Sequence, residues 1–468
     1  MGLHLFAEIH LKPIFLTCKR ATIVGLSTLT IASGLASYAK SPSKNAVPKP
    51  VTENLYHQFD EAKAALGQLL FYDPLLSGNR NISCATCHHP DLASADGLAL
   101  GVGEGGTGLG ASRTVGEGSN IIRRRVPRNA PALFNLGAKE FTALFHDGRL
   151  AIDPADPSGF HTPADEDTPH GLSGILAAQA LFPLTSEVEM AGQGKENEIG
   201  QALEDIYGNP WLSVWEKVEL RLQSNHDYTL RFADAFADID TPKDITIVHY
   251  ANAVGDFLNA EWRSSNSPFD RYLAGNKAAL TQKQRDGFEL FYGKANCSSC
   301  HSGPFLTDQS FHAIAMPQIG PGKVARLEAI RHDRGRGGAT NRIEDRYKFR
   351  TPSLRNVELT APYGHSGALK TLEAVVRHHL DPVKSFEAFS TKDVTLPEHP
   401  KLSREDTFIM QDRRERRRIL NANVLMPQTL GDDEVAALVS FLKSLTDSRA
   451  AKGRLGKPDQ VPSGLPLD

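Results

Sequence analysis

Two five-residue segments carry the most specific chemistry in the chain: Cys84-Ala85-Thr86-Cys87-His88 and Cys297-Ser298-Ser299-Cys300-His301. Each reads C-x-x-C-H, the attachment pattern of a c-type haem. The spacing has a physical reason. Two thiols one short turn apart can each add to a vinyl group of one porphyrin, and the histidine that follows is then held beneath the ring to bind iron. A redox C-x-x-C does not need the histidine. A structural zinc site takes four ligands, whereas these pairs lie 213 residues apart with no other cysteine near either. With five cysteines and 17 histidines in 468 residues, only about 0.002 matches arise by chance, so two are a strong signal. The residues therefore predict two covalently bound c-type haems, one on Cys84, Cys87 and His88, the other on Cys297, Cys300 and His301.

Each motif needs an element to deliver it. Ala62 to Phe71 is apolar and helical in pattern, and a loop then leads to Cys84. Thr281 reads as an N-cap, and Phe288, Leu290 and Phe291 follow it directly ahead of Cys297. A helix delivering the chain to C-x-x-C-H, twice, predicts two cytochrome c-like haem domains packed against each other, over 50–265 and 266–450. Ile247, Tyr250, Val254, Phe257 and Leu258 predict a helix over 244–263, and Val435, Leu438, Val439 and Leu442 predict a final one from Asp432 to Leu445. Strand signals are weak throughout, so the fold class is mostly α.

Composition narrows the function classes. Hydrophobic residues are 40%, charged residues 23% and the net charge is −3. That is a soluble, globular balance without the basic excess of a nucleic-acid binder. Lys19 and Arg20 precede an uncharged apolar run from Ala21 to Leu35, followed by Ala36-Ser37-Tyr38-Ala39. The run is shorter than the ~20 residues that span a bilayer. It predicts a cleaved signal peptide over 1–39 and export to the periplasm. Gly101-Val102-Gly103-Glu104-Gly105-Gly106 fits a dinucleotide-binding pattern, but no apolar strand precedes it and no helix opens after it, so it reads as a loop. The basic run Arg413 to Arg418 reads as a solvated helix face rather than a docking patch.

Beyond the haem motifs, the chain resembles the bacterial di-haem cytochrome c peroxidases and their MauG-type relatives over roughly residues 55–450. The resemblance is carried by Pro127-Arg128-Asn129-Ala130-Pro131-Ala132-Leu133-Phe134-Asn135, by Phe145-His146-Asp147-Gly148-Arg149 and by Pro183 to Met190, which ends Val188-Glu189-Met190. It continues through Ser267-Pro268-Phe269-Asp270-Arg271-Tyr272-Leu273 and through Thr351 to Gly367, which includes Ala361-Pro362-Tyr363-Gly364-His365. The resemblance implies a peroxide site at the first haem, with His88 as proximal ligand, and an electron-handling second haem with His301 as ligand. It implies that Glu189 is the acid–base group and Gln179 a hydrogen-bonding partner of the bound peroxide. It also implies a calcium ion on Asn129, Thr360 and Pro362, the last two through backbone oxygens. Oxygen-only ligands suit such a hard cation. The chemistry fits the carboxylate: cleaving O–O heterolytically moves a proton from one peroxide oxygen to the other, which one carboxylate can accept and deliver. Glu187 is the local alternative.

Three positions depart from the family pattern. The loop after the first motif carries Glu104 where a capping histidine is usual, and no histidine lies between His89 and His146; His161 and His170 are the other candidates for a cap. His146 replaces a tryptophan between the haems. The sixth ligand of the second haem, usually Met or Tyr, falls on His379, with His378 beside it. Met316 and Met426 do not fit this register, and an insertion over roughly 383–425 follows. The function implied is an exported peroxidase reducing hydrogen peroxide to water, with electrons from a small redox protein or another donor entering through the second haem, and no nucleic-acid partner. A homodimer stays open. Two rivals also stay open: a MauG-like oxidase acting on residues of a partner protein, and a di-haem electron carrier without chemistry of its own.

Overall fold

The computed structural model describes residues 46–204, 208–323 and 332–468. The predicted leader over 1–39 lies outside the described residues. The principal helices are α1 (Glu61–Tyr72), α2 (Ile175–Ala180), α3 (Pro210–Gln223), α4 (His226–Ala235), α5 (Ile247–Glu261), α6 (Gln282–Tyr292), α7 (Leu372–Leu380), α8 (Pro382–Ala388), α9 (Ser403–Gln411), α10 (Arg413–Ala422) and α11 (Asp432–Lys443). Strands are short: β1 (Ala143–Leu144), β2 (Leu150–Ile152) and β3 (Phe160–His161) form one antiparallel sheet, with Leu144 opposite Leu150 and Ile152 opposite Phe160. A second pair joins β4 (Phe311–His312) to β5 (Phe349–Arg350). The molecule is mostly α, as its sequence predicts.

The two halves repeat one packing unit. Asp60 caps α1 by accepting the Lys63 N–H at 3.0 Å, and Thr281 caps α6 by accepting the Gln284 N–H at 3.3 Å. Each of these helices crosses a later one at a glycine. A Cβ on Gly67 would lie 2.0 Å from the Ala253 oxygen and 2.8 Å from Phe257 Cβ of α5. A Cβ on Gly287 would lie 2.0 Å from the Ala437 oxygen and 2.8 Å from Phe441 Cβ of α11. Backbone meets backbone at both crossings, and even one added methyl would force the helices apart at a cost of about 1–3 kcal/mol. Around the first crossing pack Leu70, Phe71, Val254, Phe257 and Trp262; around the second, Phe269, Phe291, Leu438 and Phe441. The first core is larger because α2, α3 and α4 add to it, with Gly255 of α5 against the Ala177 backbone of α2.

Two features join the halves. The chain after α11 returns to the first core. Ala450 and Val461 are buried in it, Ser463 donates to Asp73 at 2.6 Å, and Glu261 accepts the Leu455 and Gly456 N–H groups, each at 2.8 Å. The insertion contributes Phe386, Ile409, Met410 and Ile419 to a small core shared with Ala313, Ala315 and Tyr347. It then ties down the glycine-rich loop region. Ala99 N–H donates to the Thr395 oxygen at 3.0 Å, His399 Nε2 to the Ile122 oxygen at 2.9 Å, and Arg125 Nε to Asp406 at 2.8 Å. Among the described residues no helix is long and apolar enough to cross a membrane.

Candidate functional site

Both cysteine motifs fold into the same tight turn. The first covers Cys84–Cys87, and the His88 N–H donates to the Cys84 oxygen at 3.0 Å. In the second the His301 N–H donates to the Cys297 oxygen at 2.9 Å. The imidazoles are then oriented alike. His88 Nδ1 donates to the Ser94 oxygen at 3.0 Å, and His301 Nδ1 to the Leu306 oxygen at 3.1 Å. A neutral imidazole that donates through Nδ1 keeps its lone pair on Nε2, the form that ligates a metal. Burial favours the neutral ring at both sites; at His301 burial, reinforced by His379, brings the pKa down to about 4.

The sulfurs fit haem attachment better than zinc. Burial pushes the Cys84, Cys87 and Cys297 thiols up to about 12. Those are surroundings for uncharged sulfur, such as a thioether, whereas zinc needs thiolates. Cys300 differs, its pKa lowered by a hydrogen bond from His312, which itself pairs with Asp308 at 2.9 Å. Cys300, Asp308 and His312 place one donor atom each within 4.8 Å. Once Cys300 is a thioether that group has no thiolate to hold a cation.

Near His301 stands His379. Their ring centroids are 6.4 Å apart, with the planes 58° from each other. Two imidazoles sharing one metal at about 2 Å per bond would have centroids about 6 Å apart. His379 Nδ1 donates to the Val375 oxygen at 2.8 Å, one turn back in α7, which leaves Nε2 open. The neighbouring His378 is spent: Nδ1 accepts from the Ser385 hydroxyl at 3.0 Å and Nε2 donates to the Ile314 oxygen at 2.8 Å. Among the described residues no imidazole faces His88 as His379 faces His301. His161 and His170 are both exposed, and His170 Nδ1 bonds the Pro157 oxygen at 3.1 Å.

At the first site the structure brings together Glu189, Lys323 and the glycine-rich loop. Glu189 lies in a π-helical turn, Glu187–Ala191, a geometry frequent at functional sites. Its carboxylate pairs with Lys323 Nζ at 3.1 Å, and its charge reaches His88 and Cys87. Gly103 lies against this turn so tightly that a Cβ would sit 2.0 Å from the Val188 oxygen. The Glu104 N–H donates to the Glu189 oxygen at 3.1 Å. The Glu104 carboxyl turns elsewhere: it is buried, accepts from Asn79 at 2.9 Å and has its pKa raised by burial. Glu187 is occupied by an ion pair with Arg124. Gln179 sits half-buried in α2 among buried neighbours.

The seam between the halves holds the remaining positions. His146 is half-buried, donates through Nε2 to the Asn129 oxygen at 3.0 Å, and is brought down to about 4 by desolvation and Arg128. Asn129 donates its amide to the Leu98 oxygen at 2.7 Å and its N–H to the His365 oxygen at 2.9 Å, close in sequence to Thr360 and Pro362. Beside it lies a buried charge cluster that the sequence reading missed. Arg128 pairs with Asp147 at 2.7 Å and grips Asp333 with two bonds of 2.7 and 2.8 Å. Lys323 was missed as well, since a single lysine in a loop carries no pattern to single it out.

The family model for di-haem cytochrome c peroxidases matches residues 61–278. The methylamine utilization protein MauG of Methylorubrum extorquens is 31% identical over 374 residues, which are 78% of this chain and 83% of that protein. The cytochrome c551 peroxidase of Pseudomonas aeruginosa is 30% identical over 330 residues, 70% of this chain and 75% of that one. Among solved structures, a MauG-like protein associated with microbial copper homeostasis aligns with a TM-score of 0.55 at 26% identity, over 88% of this chain and 96% of that chain. With two attachment turns, two oriented imidazoles and relatives of that identity and span, the chain belongs to the family of di-haem cytochrome c peroxidases and MauG proteins.

Proposed function

We propose that the chain is an exported peroxidase that reduces hydrogen peroxide to water at the first haem site, with electrons entering through the second. Membership of the family implies two c-type haems. The observation that carries the proposal is the asymmetry of the two sites. The His301 and His379 rings lie 6.4 Å apart, centroid to centroid, whereas His88 has a carboxylate, Glu189, within electrostatic reach and no imidazole so placed among the described residues. A closed pair suits electron transfer, and an open position beside an acid–base group suits a reacting ligand. When bound, the haems supply the electrons and the metal centre on which peroxide is polarised. The residues supply the rest. Glu189 takes the proton from one peroxide oxygen and delivers it to the other, Gln179 hydrogen-bonds the peroxide without taking a proton, and Lys323 positions the carboxylate.

This proposal includes the cleaved leader over 1–39 with a periplasmic location, and a calcium ion on Asn129, Thr360 and Pro362. The test is the resting spectrum together with a turnover assay. One haem should be low-spin with two nitrogen ligands and the other high-spin. Peroxide should then be consumed without prior reduction, with small donors or reduced cytochromes as electron source. Two low-spin haems and no turnover would leave the electron-carrier reading instead.

The MauG-like reading, in which electrons come from residues of a partner protein, draws on one observation: a histidine rather than methionine facing His301. Methionine ligation raises a haem potential, so a pair of histidines makes the second site a poorer electron acceptor and a readier donor to the first. His379→Met should raise that potential and change the low-spin spectrum while both haems stay attached. His378→Met should leave both nearly unchanged, since both of its ring nitrogens already have partners. A redox titration with optical detection checks the pair of variants, and the reverse pattern would assign the ligand to His378.

A further inference from the structure

Glu104 is a buried carboxyl that the steps above do not use. The residue is 1% exposed. One of its oxygens, Oε1, accepts from the Asn79 amide at 2.9 Å, and the same amide donates to Glu196 Oε1 at 2.8 Å. Asn79, Asn81 and Glu196 are exposed. The other oxygen, Oε2, is buried without a hydrogen-bond partner. One carboxyl thus has a surface amide on one oxygen and a buried, unpaired position on the other. Leaving a buried carboxyl oxygen unpaired costs stability, which an apolar side chain of similar size would not. The arrangement does not serve the fold.

Backbone bonds place this pair of residues along the turn that carries Glu189. The Gly78 N–H donates to the Met190 oxygen at 2.7 Å, directly ahead of Asn79. The Asn197 amide donates to Asn79 Oδ1 at 3.0 Å and to the Ala191 oxygen, at the end of the same turn, at 3.1 Å. On the other flank the Glu104 N–H donates to the Glu189 oxygen at 3.1 Å. The approach is close at both flanks: a Cβ on Gly78 would lie 2.0 Å from the Ala191 oxygen, and one on Gly103 2.0 Å from the Val188 oxygen. Asn79 and Glu104 are therefore braced on the π-helical turn from two sides. Burial raises the Glu104 pKa and the charge of Glu196 adds to the rise, while Asn79, Asn81 and the Gly105 N–H oppose it by stabilising the charged form. Proton transfer is most efficient from a group whose pKa is near the working pH, and burial moves this carboxyl in that direction.

We propose that Glu104 is the proton-uptake group of the first site, taking protons from solvent at the Asn79–Glu196 surface and supplying them for the second water. The inference rests on the peroxidase reading. Hydrogen peroxide, two electrons and two protons give two waters. Glu189 only moves a proton from one peroxide oxygen to the other, so the first water leaves with both hydrogens of the peroxide. The second oxygen becomes water with two electrons from the donor and two protons from solvent, and the Glu189 step brings in neither proton. Glu104 in its acid form gives a proton inward, and the carboxylate left behind takes another from solvent. The cycle runs twice per peroxide.

The test uses the full holoprotein, wild type and the variants Glu104→Gln and Glu104→Asp, in two stopped-flow mixes. In the first, with peroxide alone, Glu104→Gln should react as fast as the wild type, because the proton moved in that step is the peroxide's own. In the second, a saturating small donor returns the protein to its resting spectrum. That return should be about tenfold slower or more in Glu104→Gln, while Glu104→Asp keeps most of the wild-type rate. Formate, a small weak acid, should restore the Glu104→Gln return. The resting spectra of both haems should be the same in all three proteins. Infrared difference spectra between the wild type and Glu104→Gln follow the carboxyl with pH, and its midpoint should lie above the ordinary glutamate value. The wild-type return should be fast below that midpoint and slow above it, and Glu104→Gln should lack this pH dependence. A Glu104→Gln return as fast as the wild type's would overturn the uptake role. So would an ordinary midpoint, or a slow return that Glu104→Asp shares and formate leaves unchanged. A wild type that already fails to react in the first mix would instead overturn the peroxidase reading and the uptake role with it, whereas failure of the uptake role alone leaves both mixes working.

Discussion

Glu189→Gln should lower peroxide turnover by about 10²–10⁴-fold, the usual span of a general acid–base contribution, with both haems still attached and their spectra unchanged. The substitution keeps size and hydrogen bonding but removes the atom that accepts the proton. Competing carboxylates are otherwise engaged. Glu187 is paired with Arg124, and the Glu104 carboxyl is turned to Asn79. Because Lys323 approaches from the other half of the chain to within 3.1 Å of Glu189, the amide keeps a polar neighbour and the turn keeps its shape. Steady-state assays with a saturating small donor give the comparison, and kcat should fall far more than KM rises. A variant with near-normal turnover would move the proton transfer to Glu104, whose second carboxylate oxygen is buried without a hydrogen-bond partner.

Arg128→Met should cost about 3–5 kcal/mol of stability at neutral pH, the penalty for breaking a buried ion pair from one side. Arg128 is the one cation gripping Asp333 through two bonds, and it also pairs with Asp147; all three side chains are buried. Burial opposes ionisation of both carboxyls. Arg128 overcomes it, helped at Asp147 by Arg149, and holds both below the ordinary carboxylate range. A carboxyl with a depressed folded pKa contributes stability above its unfolded value, near 4, and loses it as the pH falls through the folded value. The variant leaves Asp333 buried without its cation, so its penalty is largest at neutral pH and shrinks on acidification as Asp333 takes up a proton. Denaturant unfolding of the holoprotein at pH 7 and pH 5 should show a smaller gap between wild type and variant at pH 5. A gap that stays constant would mean the loss is one of packing alone. Since Arg128 and Asp147 belong to the first half of the chain and Asp333 to the second, the variant should also loosen the seam on which His146 and Asn129 sit.

The sequence by itself determined what depends on neighbours in the chain. Two C-x-x-C-H turns, the cap at Thr281, the apolar stripe of α5 and the predominance of helix all follow from interactions within a few residues, which a linear pattern records. The exposed face of α10 was legible for the same reason. Only the tertiary structure decided which groups those elements meet. His378 and His379 are adjacent letters, but on a helix they point about 100° apart. Which of them faces His301 is set by Ile314 and Ser385, which consume both nitrogens of His378. The family pattern places Glu104 in the position of a cap, yet its carboxyl is drawn to Asn79, because a buried polar group is costly without a hydrogen-bond partner. Lys323 reaches Glu189 across 134 residues, and Arg128 reaches Asp333 across 205. Charges so far apart in the chain leave no periodicity or motif to read. Both pairings form at a seam that exists only once both halves have folded, and at the buried Arg128–Asp333 pair neither partner can stay buried without the other.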